Sequence, residues 1–108
     1  MPQYLIRGTY TAEAMAGLRD AGAASRAEAV RDLFASVGGT LVSEPGWSAA
    51  TLSAVGVVDL PSEAAAAAVL STALASGTQV KVEMERLLSA AELDEALKVQ
   101  AQFRPPGQ

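Results

Sequence analysis

Residues 57–85, "VVDLPSEAAAAAVLSTALASGTQVKVEME", decide the fold. Val57 to Leu60 close a β-type run, and Pro61 stops it, because proline has no amide proton for a ladder. Ser62 then offers its hydroxyl to the free amides of a helix start. The alanines that follow are the best helix formers, and Gly77 supplies the stop. From Thr78 to Leu88 the period changes to two: Val80, Val82 and Met84 fall on one face, and Lys81, Glu83 and Glu85 on the other. The stretch therefore predicts strand, helix, strand.

Working outward, Tyr4 to Tyr10 is another β-type run, with Tyr4, Ile6, Gly8 and Tyr10 on one face and Leu5, Arg7 and Thr9 on the other. Thr11 caps a helix, with Glu13 at its positive end and Met15 and Leu18 on one side. Gly17 and Gly22 weaken it. "SRAE" (Ser25–Glu28) reads as a capping box and a second start. Val30, Leu33, Phe34 and Val37 then recur at helical spacing until Gly38-Gly39. The prediction is a broken helix over about residues 12–37. Thr40–Ser43 reads as a strand, Glu44-Pro45-Gly46 as a turn, and Thr51–Leu60 as the next strand. Ser89–Glu92 is a further capping box, opening a last helix with Leu93, Ala96, Leu97 and Gln100. Residues 1–102 form one domain and 103–108 a tail.

The order is βαββαβ plus a C-terminal helix. This is an α+β protein of the split βαβ, or ferredoxin-like, arrangement: a four-stranded antiparallel sheet with helices on one face. The other face is left bare.

Composition narrows the chemistry. The chain has 108 residues, half of them hydrophobic, with a net charge of −4. Alanine supplies much of the apolar content, so a single copy has a thin core, and a second copy would add buried area. No basic run interleaved with aromatics is present, which argues against nucleic acid. There is no cysteine and no histidine, so thiolate chemistry and the commonest general base and metal ligand are excluded. No metal or cofactor is expected. No signal peptide is visible, and the longest apolar run, Ala64 to Ala75, is about 12 residues where a span needs ~20. The expectation is a cytoplasmic protein with no membrane partner.

"YLIRGTYTAEAMAGLRDAG", "SRAEAVRDLFASVGG", "VVDLPSEAAAAAVLSTALASG" and "VKVEMERLLSAAELDEAL" together resemble the GYD-domain family over residues 3–98. The resemblance implies a dimeric α/β-barrel, a homodimer whose two sheets close face to face, with higher assembly open. The family's naming glycine, tyrosine and aspartate fall near Ala50, Leu52 and Ser53, so the tyrosine and the carboxylate are missing from this chain.

Five residues are candidates for ligand binding. Arg7 is a guanidinium among apolar neighbours, suited to an anion; an ion pair with Glu83 or Glu85 on the neighbouring strand is the structural alternative. Glu83 is a candidate for the same reason. Tyr4 and Tyr10 are hydrogen-bond donors or core residues with a hydroxyl at the rim. Trp47, the lone tryptophan, either lids a pocket, anchors a dimer or caps the core. Ser43, Ser48 and Ser53 lack a histidine or lysine partner, so a serine nucleophile is not expected.

Two functions follow. One is a small cofactor-independent enzyme, cyclase-, isomerase- or monooxygenase-like, or a binder of an apolar small molecule, its pocket between sheet and helices where Gly8, Ala54 and Gly56 leave room. The other is a non-catalytic structural or assembly module of the same fold. A cavity of ~300 Å³ or more with converging Tyr, Arg or Trp marks the first, and a filled interior the second.

Overall fold

The computed structural model describes all 108 residues. Strand β1 (Gln3–Tyr10) leads into helices α1 (Ala12–Ala21) and α2 (Ala23–Ala35). Two short strands follow, β2 (Thr40–Leu41) and β3 (Gly46–Trp47), then β4 (Ala54–Asp59), α3 (Glu63–Ala75), β5 (Gln79–Leu87) and α4 (Ala90–Lys98). The class is α+β with one antiparallel sheet. Its order is β2-β4-β1-β5, with β3 also on β4.

The sheet has five strands where four were expected. Leu41 faces Val58 and Gly46 faces Val55, so five steps along one strand span three along the other. Thus β2 and β3 lie end to end along the same edge of β4. The two surplus residues bulge out around Pro45, which has no amide proton to offer the ladder.

The break between α1 and α2 falls at Gly22, whose φ of 89° suits a residue without a side chain. Helix α2 therefore starts at Ala23, before Ser25, and its N-cap makes no side-chain bond. The capping box read at Ser25–Glu28 is not formed; those residues lie inside the first turns. The other caps are made as expected: Thr11, Ser62 and Ser89 each accept from an amide three residues on, at 3.1 Å. The Ser89 cap is a complete box, with Glu92 reaching back to the Ser89 amide. Arg86 donates to Glu92 at 2.7 Å. That bond, with the Ser89 amide, holds the Glu92 carboxyl down to about 2.

Two further strand boundaries differ from the sequence pattern. The run expected to begin at Thr51 starts at Ala54. Residues 48–52 turn instead, with Leu52 at φ 59° and its amide bonded to the Ser48 carbonyl. In β5 a register shift lies opposite Thr9 and Tyr10, where Tyr10 pairs with Gln79 and Thr9 with Lys81. Val80 is the extra residue and is 64% exposed, no longer sharing the face of Val82 and Met84.

The core sits between the sheet and helices α2 and α3. Tyr4, Phe34, Val58, Leu60, Ala66 and Val69 form it, with Ile6, Val30, Leu33, Val37, Leu41 and Met84 packed around. Val58 and Leu60 are wholly enclosed. Gly39 is needed here, because a Cβ on it would lie 2.6 Å from Leu60 Cδ2. The opposite face of β1 and β4 carries Leu5, Arg7, Thr9, Val55 and Val57, with no helix over it. β5 pairs with β1 alone, leaving its outer edge open.

Helix α4 stands away from this core and buries none of its residues. Leu97 is 73% and Phe103 83% exposed. The radius of gyration is 17.0 Å, against about 13 Å for a compact chain of this length.

Candidate functional site

A cleft opens between the helix-bearing face of the sheet and helices α2 and α3. Ile6, Val30, Leu33, Val69 and Val82 make its walls, and Gly8, Ala54, Gly56 and Ala73 keep it open. The sheet pattern places them: in β1 and β4 alternate residues point to the helices, and three of these positions are glycine or alanine. The cleft has a volume of about 70 Å³. This is smaller than the ~300 Å³ expected of a full ligand pocket.

Polar groups gather at one end. Trp47 Nε1 donates to the Tyr10 hydroxyl at 3.2 Å. The guanidinium carbon of Arg26 lies 5.9 Å from the centre of the Tyr10 ring, within cation–π range. Arg26 Nε and Gln79 Oε1 are both buried with no hydrogen-bond partner. Gln79 occupies space that Gly8 leaves, for a Cβ on Gly8 would meet its Oε1 at 2.8 Å. A second hollow of about 320 Å³ lies between α1 and α2, lined by small residues such as Ala14, Gly17 and Ala29; Tyr10 and Arg26 form the wall common to both. The first cleft is the better candidate, because its lining is mainly apolar and its few polar groups converge.

Of the five residues singled out from the sequence, the fold brings Tyr10 and Trp47 together in this cleft. Tyr4 is on the same face but inside the core, its hydroxyl buried without a partner. Arg7 and Glu83 lie opposite each other on the bare face, away from the cleft. The ion pair considered for Arg7 is not made. Glu83 is 3.8 Å from Lys81 Nζ instead, and the chain's other ion pairs are Arg31–Glu44, Arg86–Glu92 and Lys98–Glu95.

Arg26 and Gln79 are the site residues that sequence reasoning missed. Arg26 was absorbed into a capping pattern, and Gln79 sits at a strand start. The one available signal was a lone arginine among alanines on the helix face that also carries Val30 and Phe34.

The hydroxylated run before β4 closes a hairpin. Ser53 is 4% exposed; its hydroxyl is 3.2 Å from Thr9 Oγ1 and accepts from Thr51 Oγ1 at 3.0 Å. The Ser48 hydroxyl accepts from the amides of Ala50 and Thr51. These side chains satisfy the turn's own backbone and each other, so this run builds structure and leaves no free nucleophile.

No helix is long and apolar enough to cross a membrane. No curated protein and no solved structure matches the chain. A family model described as the GYD domain matches residues 4–97, from the first strand into the last helix, and the chain belongs to that family.

Proposed function

We propose that the protein is a homodimeric, ferredoxin-like binder of a small apolar molecule, held in the cleft between sheet and helices. The observation that carries this is the convergence of Tyr10, Trp47, Arg26 and Gln79 on one end of an apolar cleft. Two of the chain's three buried unpaired side-chain atoms, on Arg26 and Gln79, belong to residues at that end. A cofactor-independent reaction on the bound molecule would rest on positioning, with the Tyr10 hydroxyl as the proton-bearing group nearest to it.

The ferredoxin-like reading is supported by the strand order once β2 and β3 are counted as one interrupted strand. The dimer is supported by the bare face. Leu5, Val55 and Val57 form an apolar strip on it, Arg7 has no ion pair, and Glu83 and Glu85 are exposed beside it. A two-fold axis that set this face against its copy would let each Arg7 meet the other's acidic strand. The projecting α4 offers more apolar surface to the same end.

A second reading, a non-catalytic assembly module, draws on the small enclosed volume of the cleft. One experiment separates them. Cyclohexanol and cyclohexanecarboxylate are titrated while Trp47 emission is followed, with wild type and Ala54→Leu, which fills the cleft. Saturable binding lost in Ala54→Leu supports the binder. No binding of either compound refutes it and leaves the assembly module.

A further inference from the structure

The end of the cleft is electrostatically one-sided. Arg26 is the one formally charged residue in the lining; no Asp or Glu is there. None of the chain's four ion pairs includes it, so no carboxylate oxygen lies within 4.0 Å of its nitrogens. Arg26 is half-buried and unpaired, as is Arg7 on the other face of the sheet, but Arg26 alone of the two faces the cleft. Its burial costs solvation, and a single stacking contact on Tyr10 offsets only part of that.

The donors there also point one way. Tyr10 accepts from Trp47 Nε1, so its own hydroxyl proton is free for another acceptor. Arg26 Nε–H is buried without one. An anion at that end of the cleft would accept from the Tyr10 hydroxyl and from the Nη groups of Arg26, which make no hydrogen bond within the chain and, unlike Nε, are not sealed off. A single guanidinium with no second cation and no amide nest suits one negative charge, which favours a carboxylate over a phosphate. The enclosed space suits a body about the size of one ring.

We infer that the cleft takes a compact apolar monocarboxylate, its carboxylate on Arg26 and the Tyr10 hydroxyl and its apolar body against Val30, Val69 and Val82. This rests on the binding reading above and adds the ligand class to it.

The test uses cyclohexanecarboxylate and cyclohexanecarboxamide, which share a shape and differ in charge. Each is titrated into wild type, Arg26→Gln and Arg26→Lys, following Trp47 emission and the indole N–H resonance, with folding checked by circular dichroism. Wild type is expected to bind the carboxylate about tenfold or more tighter than the amide. Arg26→Gln removes that preference, and Arg26→Lys keeps part of it. If Arg26→Gln does not fold, Arg26→Lys carries the comparison, since loss of the planar fork alone lowers the preference. Equal affinities in wild type, or a preference unchanged in the variants, overturns the carboxylate inference while the binding reading stands. Failure of both compounds to bind overturns both.

Discussion

Gly39→Ala is the sharpest test of how α2 hands over to the sheet. The added Cβ would lie 2.6 Å from Leu60 Cδ2, 3.0 Å from the Asp59 carbonyl oxygen and 3.2 Å from that of Phe34. Ordinary contact needs about 3.5–4.0 Å. Leu60 is wholly enclosed, so its methyl has nowhere to swing. The two carbonyls belong to backbone, and Gly39 N already donates to Phe34 O at 2.8 Å. The junction must open by about 1 Å, and overpacking of this kind costs about 1–3 kcal/mol. For a domain of this size that lowers the midpoint by roughly 5–15 °C. Gly17→Ala is the internal control. Its Cβ meets nothing within 4 Å, and inside α1 the change should stabilise by about 0.5–1 kcal/mol. The same chemical change thus acts with opposite signs at two sites, read by thermal and urea unfolding. Adding Leu60→Ala to Gly39→Ala should cost less than the sum of the singles, because the clash is removed. Equal effects of the two glycine changes, or strict additivity with Leu60→Ala, would refute the packing argument.

Other outcomes follow from the same geometry. Glu92 has a depressed carboxyl in the folded chain, so its contribution is complete above the ordinary carboxylate range and fades as pH falls toward about 2. The protection of the α4 amides, corrected for intrinsic exchange, should therefore fall in acid, and Glu92→Gln should show the lower protection already at neutral pH. Ser53→Ala leaves the buried end of the hairpin without the hydroxyl that meets Thr9 and Thr51; a loss of about 1–3 kcal/mol in urea unfolding is expected. Val57→Glu places a charge on the bare sheet face and should abolish the proposed dimer in sedimentation while the circular dichroism spectrum is kept; a dimer that persists in the variant, or a wild type that sediments as a monomer, refutes that contact.

The long elements were legible from residue type and punctuation. Helix α3 is a run of alanine with Ser62 before it and Gly77 after it, β1 is rich in aromatic and branched side chains, and β5 alternates from Gln79 to Glu85. Gly22 marked the helix break. The short features were not legible, for a physical reason. Two-residue strands such as β2 and β3 have no period; they exist because β4 offers them an edge. Val80 alternates correctly in sequence, and only the Thr9–Tyr10 register shift turns it outward. The site is half legible. Tyr10 and Trp47 are noticeable by residue type, but their meeting depends on β3, and Arg26 gains its meaning only when α2 lies over Tyr10. Arg7 looked equally promising and belongs to the other face.

The open flank of β5 has a bearing on how the protein survives at high concentration. A nine-residue border strand with unclaimed amides is a template on which another chain can grow a fibril. Lys81, Glu83, Glu85 and Arg86 interrupt that template: a neighbour adding in register would bring like charges together, and the extra residue at Val80 spoils the flat stacking a filament requires. Replacing the three charges at 81, 83 and 85 with threonine would raise the strand's intrinsic propensity and also its tendency to polymerise. The charged border therefore works against strand addition at this edge.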